Sequence, residues 1–327
     1  MPGDMTCRPS FDLLATAFAS RKLPGPGLAR PADRYTGDMA DELSKGRTDL
    51  LVAPDFIVIG AQRGGTTWMQ RRLIEHPEVF VPAWRTDDIF LDADAMSGHH
   101  DEPVVGVFDA TLLTRSEVPK DIKALSTSVK LLAVVRNPVD RAYSWYHIRL
   151  RQGDGLYEAE PSFAEALEAD PQLVSNGIYT PHLKRYIDVV GKNRLWIGVF
   201  DDLRADPLQF LTDVLHFLGI EETTDLPSHW AKSVNYSAAV QNRRLHRLAR
   251  RAKRGTRRVL GMRNQWLVDR LEQSRIVTSF KRANERVVPP LDEATRSILF
   301  ERFADDIAEL EQLLGRDLSR WKPRGAR

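Results

Sequence analysis

Short apolar runs alternate with amphipathic stretches over residues 51–232. Four of these runs are rich in Val, Ile, Leu or Phe, a pattern typical of strands buried on both faces of a parallel sheet. The predicted strands are Phe56–Gly60, Val104–Phe108, Leu131–Val135 and Leu195–Phe200. Helical periodicity predicts helices at Thr67–Glu75, Val139–Leu150, Phe163–Glu168, Pro181–Val190 and Leu208–Leu218. The alternation predicts an α/β fold built on a doubly wound parallel sheet of about four to five strands.

The regions on either side of this core have different patterns. Residues 1–50 carry scattered Pro, Gly and charge without a sustained period, so we predict an N-terminal extension that is partly disordered. Near the other end of the chain, an apolar stripe over Ala294–Leu314 predicts one continuous helix. We therefore predict a single domain over 51–327, with an α/β core at 51–232 and a helical part at 233–327.

Composition narrows the environment that we expect. The net charge is +2 and the single cysteine is Cys7, so one chain cannot form a disulfide framework or a cysteine-based metal site. A lone cysteine suits the reducing cytoplasm. No apolar run is long enough to span a bilayer, and the N-terminal residues lack the positive charge of a convincing signal peptide. We therefore expect a cytoplasmic protein.

The segment 241–263 is strongly basic and has a helical pattern. A run of like charge is usually a solvated helix face, and this interpretation comes first. The alternatives are a lid over a bound nucleotide, peripheral contact with anionic lipid, and contact with an acidic acceptor. Nucleic-acid binding is not expected, because Trp266 is the only nearby aromatic residue that could stack on bases.

The segment Asp55–Trp68 combines a buried strand, a glycine-rich turn and the start of a helix. Backbone N–H groups at such a helix N-terminus bind phosphate, and the helix dipole favours its charge. The spacing of Gly60–Thr67 fits the P-loop pattern GxxxxGK[ST], except that Thr66 replaces the lysine and a cation appears earlier, at Arg63. Because that lysine normally reaches the β- and γ-phosphates, its absence argues against a P-loop kinase or ATPase, which is the alternative function.

A second candidate phosphate site follows another buried strand. Arg136 stands at the strand end, Pro138 suits the first position of the next helix, and Ser144 lies about two turns further along it. A guanidinium and a hydroxyl in this arrangement can bind a phosphate group. An ion pair between Arg136 and Asp140 is the alternative explanation of the charge.

Together these two motifs resemble those of the sulfotransferases that use 3′-phosphoadenosine 5′-phosphosulfate (PAPS), nearest to the bacterial and heparan-sulfate-type branch. In that family the first loop binds the 5′-phosphosulfate, and an RNPxxRxxS-type segment binds the 3′-phosphate. This chain has the first loop at Gln62–Thr67 and the second segment at Arg136–Ser144. The likeness extends from about Asp55 to Trp321.

The resemblance implies direct, in-line transfer of a sulfonate group from PAPS to a hydroxyl of a sugar, lipid or secondary metabolite. The product would be adenosine 3′,5′-bisphosphate (PAP), and no metal is implied. Arg63 takes the place of the family's catalytic lysine and would stabilise charge on the breaking S–O bond. Because arginine keeps its proton, Arg63 would act by electrostatics and not as a general acid. The implied nucleotide-binding residues are Arg63, Gly64, Gly65, Thr66, Thr67, Trp68, Arg136 and Ser144.

Transfer also needs a general base that takes the acceptor proton, and the resemblance places it within Val81–Leu91. Asp87 aligns with the family's glutamate, and Asp88 would serve after a one-residue slip. Both could instead be solvated loop carboxylates, and the chain would then lack the general base. In that case the alternative function is a nucleotide- or membrane-binding protein without catalytic activity. The competing bases are His99, His100 and His147. Asp109 and Tyr179 are candidates either for acceptor contact or for local structural roles.

Overall fold

The central feature of the fold is a sheet of five parallel strands. The structure, a computed structural model, describes residues 53–82, 91, 95–153, 155–220, 227, 230, 238–240 and 285–323. The strands are β1 (Phe56–Gly60), β2 (Val79–Phe80), β3 (Val104–Phe108), β4 (Lys130–Val135) and β5 (Leu195–Val199). Their order across the sheet is β2-β3-β1-β4-β5. The predicted α/β fold with a parallel sheet is therefore confirmed.

Helices connect and follow these strands. Their bounds are α1 (Thr66–Ile74), α2 (Val118–Leu125), α3 (Pro138–Gln152), α4 (Phe163–Ala169), α5 (Gln172–Ser175), α6 (Thr180–Val190), α7 (Phe200–Ala205), α8 (Pro207–Leu218), α9 (Glu293–Glu301) and α10 (Ala304–Leu314). The predicted helices of the α/β core are all present, with ends that differ from the prediction by at most two residues. Phe200, predicted as the last residue of a strand, is the first residue of α7. No helix in the described part of the chain is both long and apolar enough to cross a membrane.

The strand order identifies the carboxyl ends of β1 and β4 as the expected place for a ligand. From β1 the chain first forms β2 and β3 on one side of β1 and later β4 and β5 on the other, so the direction of winding reverses at β1. Ligands of doubly wound sheets bind at such a point, beyond the carboxyl ends of the strands. All of β1 is buried, as is β4 beyond Lys130, which accounts for their continuous apolar runs. Both candidate phosphate motifs begin at these two ends.

The chain groups into two compact units that alternate along the sequence. The first contains the described parts of Met1–Asn137, Ile178–Lys232 and Asp306–Asp317. It includes the sheet, α1, α2, α6, α7, α8 and most of α10. The second contains the described parts of Pro138–Gly177, Ser233–Asp305 and Leu318–Arg327. The prediction of one domain over 51–327 stays a prediction.

An aromatic cluster and a buried arginine organise the second unit. Tyr146, Tyr157, Ala166 and Leu173 are buried together, with Phe163 packed against them. Tyr157 donates a hydrogen bond to Asp170 at 2.7 Å, and burial together with this bond raises the pKa of the phenol. The fully buried Arg141 on α3 donates hydrogen bonds to the backbone carbonyl oxygens of Gln172 and Leu173. These bonds join α3 to α5.

Two expectations about the C-terminal part need correction. The part after residue 233 is not helical throughout, because β6 (Ala238–Val240) and β7 (Glu285–Val287) form an antiparallel ribbon. Three-residue strands are too short to show a period of two, so the sequence pattern does not reveal them. The predicted helix over 294–314 is divided into α9 and α10, because Phe303 N donates to Phe300 O in a tight turn between them.

Candidate functional site

The first candidate phosphate site is the loop that joins β1 to α1. The loop is tied to β4, because Ala61 N donates to Val134 O at 3.0 Å. It closes on itself where Gly64 N donates to Ala61 O at 2.9 Å. A Cβ atom on Gly64 would collide with Val134 O, so only glycine lets the backbone pass this close to β4. These contacts hold the backbone of the loop in place between β1 and the start of α1.

Helix α1 begins in a way that suits an anion. Gly65 precedes it in a left-handed conformation (φ 105°, ψ 3°), and no side chain caps the helix. Several N–H groups of a first helical turn lack partners within the helix, and the dipole gives this end a partial positive charge. In α1, Trp68 N already donates to Gly65 O at 3.0 Å. Thr66 is half-buried and Thr67 is exposed, whereas Trp68 is buried against Phe210. The threonines, not the indole, are thus placed to meet a ligand at this end.

Arg63 is one of the two described non-glycine residues with a positive φ, at 71°. A left-handed conformation is unfavourable for a residue with a Cβ atom, and such strain clusters at functional sites. The side chain of Arg63 is half-buried, and its carbonyl accepts a hydrogen bond from Arg136 Nη1 at 3.4 Å. The two predicted cationic residues are therefore brought into direct contact.

Arg136 extends from the carboxyl end of β4 and is held at several points. Its guanidinium carbon lies 4.7 Å from the centroid of the Phe200 ring, a cation–π arrangement. Its carbonyl accepts a hydrogen bond from Tyr179 Oη at 2.9 Å. Asp140, the alternative partner considered for Arg136, forms an ion pair with Arg296 at 2.9 Å. These contacts orient a guanidinium group next to the phosphate loop, where two cations and a helix N-terminus can bind a polyanion.

Ser144 lies on α3 in the second unit, where its side chain is buried. Arg141, within the same sequence motif, uses its guanidinium for backbone carbonyls of α5. The motif thus contains one arginine at the strand end and one that supports the helix packing. The assignment of Ser144 to nucleotide binding stays a prediction.

The other candidate residues have mostly local partners. His99 Nε2 lies 3.0 Å from Glu102 O, and its ring packs edge-on against Phe80. His100 uses its backbone N–H to bind the Glu102 carboxylate. His147 is buried in the second unit beside Tyr143, with ring centroids 4.6 Å apart. These contacts favour structural roles for the rings of His99 and His147, whereas His100 is exposed and its candidate role stays a prediction. Asp87 and Asp88 lie outside the described residues, so the predicted base stays a prediction.

Asp109 and Tyr179 have local structural roles in this structure. Asp109 Oδ1 accepts a hydrogen bond from Thr111 N at 2.8 Å, and its other oxygen lies 3.7 Å from Arg115 Nη2. Tyr179 is fully buried and supports Arg136, so it does not face an acceptor. Among the described residues, no group of three or more His, Cys, Asp and Glu side chains could hold a metal ion.

Two residues of the site were not predicted from the sequence. Phe200 provides the ring beneath Arg136, although its place directly after a buried strand was a usable signal. Asp306 binds the backbone of Tyr179 from 127 residues further along the chain. Burial raises the pKa of Asp306, although hydrogen bonds from Tyr179 and Thr180 act in the opposite direction. No local sequence pattern indicates a contact of such separation.

Comparison with known proteins agrees with this geometry. The sulfotransferase domain family model matches residues 53–264, more than half of the chain. Human bifunctional heparan sulfate N-deacetylase/N-sulfotransferase 3 is 25% identical over 300 residues, which cover 82% of this chain and 31% of that protein. The human type 2 enzyme of the same name is 26% identical over 195 residues, which cover 51% of this chain and 22% of that protein. The chain spans about a third or less of the length of these curated relatives.

A solved structure shares the fold. The crystal structure of a sulfotransferase from Alicyclobacillus acidocaldarius matches with a TM-score of 0.56 at 21% identity, covering 82% of this chain and 98% of that chain. At this identity the likeness establishes the fold alone, and the family assignment rests on the family model. The chain therefore belongs to the sulfotransferase domain family.

Proposed function

We propose that this protein transfers a sulfonate group from PAPS to a hydroxyl or amine of an acceptor molecule. The observation that carries the proposal is the direct contact between the two cationic residues beside the uncapped start of α1, in a chain of the sulfotransferase family. PAPS has a phosphosulfate at one end of its ribose and a phosphate at another. A site with two guanidinium groups and a helix N-terminus matches this distribution of charge.

The backbone and hydroxyl groups of Thr66 and Thr67 bind the 5′-phosphate in this proposal, and Arg63 faces the sulfonate and the bridging oxygen. The acceptor oxygen or nitrogen forms a bond to sulfur while the bond between sulfur and the bridging oxygen breaks. The electron pair of the broken bond stays on PAP, where Arg63 and the helix N-terminus stabilise the new charge. The acceptor proton passes to the general base, for which Asp87 and Asp88 are the candidates.

Arg136 binds the 3′-phosphate in this proposal. Because Phe200 and Arg63 hold the Arg136 guanidinium, little side-chain freedom is lost when the phosphate binds. For the acceptor, the names of the relatives mention heparan sulfate N-sulfotransferase activity. A glycan amine or hydroxyl is therefore the first acceptor class to test, followed by hydroxyls of lipids and secondary metabolites.

Thermal unfolding with nucleotides tests the proposal. PAP at about 100 times its Kd should stabilise the protein by about 2.7 kcal/mol through ligand linkage. ATP with Mg²⁺ should have a much smaller effect at the same concentration, because no loop lysine is available for its β- and γ-phosphates. A larger shift with ATP and Mg²⁺ than with PAP would contradict the proposal. Incubation with PAPS labelled in its sulfonate, followed by mass spectrometry of glycan products, then identifies the acceptor.

A further inference from the structure

Tyr179 occupies an unusual place for a phenol. Its side chain is fully buried in the first unit, and its hydroxyl donates a hydrogen bond to the carbonyl of Arg136. Arg136 directly follows β4, whose pairing with β5 ends at Val135. Tyr179 thus supplies a partner to the backbone of a cationic residue in the site.

The position of Tyr179 is in turn fixed by Asp306. One carboxylate oxygen accepts a hydrogen bond from Tyr179 N at 2.7 Å, and the other accepts one from Thr180 N at 2.9 Å. Thr180 Oγ1 also donates to the Asp306 carbonyl at 3.1 Å. Tyr179 is the N-cap residue of α6 and has no side-chain cap of its own, so Asp306 caps this helix from α10. A carboxylate is favoured at this end of a helix because of the dipole.

The contacts continue from Arg136 to the phosphate loop. Its guanidinium lies over Phe200 and donates to Arg63 O. A series of hydrogen bonds therefore runs from Asp306 through Tyr179 and Arg136 to Arg63, and all four residues belong to the first unit. A shift of the Arg136 backbone would move the base of its side chain and change its distance to the loop.

We propose that Tyr179 and Asp306 are positioning residues for nucleotide binding: they set the place of Arg136 and, through it, the affinity for the 3′-phosphate. This inference rests on the proposed function, because it takes Arg136 to bind that phosphate. Neither residue contacts the nucleotide. Their effect on binding is transmitted through the backbone of Arg136.

The variant Tyr179→Phe tests the inference with little change in packing, because it removes only the hydroxyl. We expect its affinity for PAP, measured by calorimetry, to fall about tenfold, the effect of an energy comparable to one net hydrogen bond. Its affinity for adenosine 5′-monophosphate, which lacks the 3′-phosphate, should stay within about twofold. In turnover assays the KM for PAPS should rise while the KM for the acceptor is unchanged. A role confined to stability would weaken both nucleotides equally or neither.

Tyr186→Phe is a matched control. Tyr186 is also fully buried on α6, and its hydroxyl donates to a backbone carbonyl, that of Leu112, at 2.8 Å. It should lower the thermal stability as much as Tyr179→Phe does and leave the affinity for PAP unchanged. Equal affinities of the two variants for PAP would overturn the inference.

The background variant Arg136→Ala tests the route of the effect. Since Tyr179 acts through Arg136, Tyr179→Phe should cause no further loss of PAP affinity in this background. An equal loss of PAP affinity in the presence and absence of Arg136 would show that the effect of Tyr179 does not pass through Arg136. Asp306→Asn should reproduce the selective loss of PAP affinity. The carboxylate accepts from Tyr179 N and Thr180 N with its two oxygens, whereas the asparagine amide has only one oxygen that can accept. If the parent protein does not bind PAP, the proposed function fails. If it binds PAP and both Tyr179→Phe and Asp306→Asn bind like the parent, only this inference fails.

Discussion

At the scale of single residues, Arg63 combines a positive charge with a left-handed backbone conformation. This conformation costs about 1–2 kcal/mol for a residue with a Cβ atom. The surroundings maintain it, because the next residue is anchored to Ala61 O and the Arg63 carbonyl is bound by Arg136. Glycine would adopt the same backbone without strain. The retention of a strained arginine is understandable if its guanidinium is needed for chemistry.

The variant Arg63→Gly separates charge from backbone conformation. We expect its unfolding free energy to remain within about 1 kcal/mol of the parent, because the relief of strain offsets the greater freedom of the unfolded chain. Its kcat should fall by about 10² to 10³, the usual effect of removing one group that stabilises transition-state charge. Single-turnover assays and denaturant titrations measure the two quantities.

A companion variant, Arg63→Lys, keeps the charge without the planar fork. It should have a kcat between those of the parent and Arg63→Gly. Normal turnover in Arg63→Gly would show that the charge does not take part in the reaction.

At the scale of elements, the start of α1 depends on a close approach to α7. A Cβ atom on Gly65 would lie 2.7 Å from Leu203 Cδ2 and 2.9 Å from Phe200 Cδ2. Both neighbours belong to α7, and Phe200 also lies beneath the Arg136 guanidinium. The glycine therefore lets the phosphate loop, α7 and Arg136 come together. Its left-handed φ of 105° is a second reason for glycine at this position.

The variant Gly65→Ala should disturb both the fold and the site. We expect a loss of about 1–2 kcal/mol from the backbone conformation and about 1–3 kcal/mol more from overpacking against α7. The affinity for PAP should also fall, because the start of α1 must shift. Denaturant unfolding and calorimetry with PAP measure these effects.

Gly98→Ala is the control for Gly65→Ala. Gly98 has a similar φ of 97°, and a Cβ atom there would meet nothing within 4 Å. This variant should show the cost of the backbone conformation without overpacking or a change in PAP binding. Equal losses of stability in the two variants would contradict the steric argument.

Most elements that the sequence predicts are long enough for an apolar run or a helical period to be visible, although α2, with eight residues, was not predicted. Four strands of the sheet and the helix after the phosphate loop were predicted because each has five or more residues. The edge strand β2 has only two residues, Val79 and Phe80, and was missed. The break at Phe303 was missed because an apolar residue there fits either one helix or two. The Asp306–Tyr179 contact could not be predicted from the sequence, since it depends on tertiary packing between residues 127 positions apart.

At the scale of the whole molecule, His76 links folding stability to pH. The side chain is 2% exposed, and its Nδ1 accepts a hydrogen bond from Glu78 N at 3.2 Å. Burial lowers the pKa of His76 from 6.5, while the charge of Glu78 acts in the opposite direction. The unfolded chain thus binds a proton more readily than the folded protein does. The stability that the neutral ring contributes is present above pH 6.5 and is lost as the pH falls through the folded-state pKa.

The variant His76→Asn tests this linkage. Asparagine keeps an acceptor near the Glu78 N–H group but does not titrate. We expect the unfolding free energy of the parent to fall more steeply than that of the variant when the pH is lowered from about 7 to about 5. Urea titrations at several pH values provide the comparison. Parallel pH profiles of the two proteins would rule out His76 as a source of the dependence.

The strand order also has a consequence for how new specificities can arise. The two strands that lead into the phosphate loop and Arg136 are neighbours, β1 and β4. The segment with Asp87 and Asp88 joins β2 to β3, which lie on the other side of β1. Insertions or exchanges in that connection leave the β1–β4 pairing untouched. Under the proposed function, the strands that lead to the candidate nucleotide site are thus separate from the connection that carries the two candidate base residues. We expect a graft of the β2–β3 connection from another family member to change turnover with different acceptors and to leave the affinity for PAP unchanged, and a loss of PAP affinity in the graft would contradict this separation.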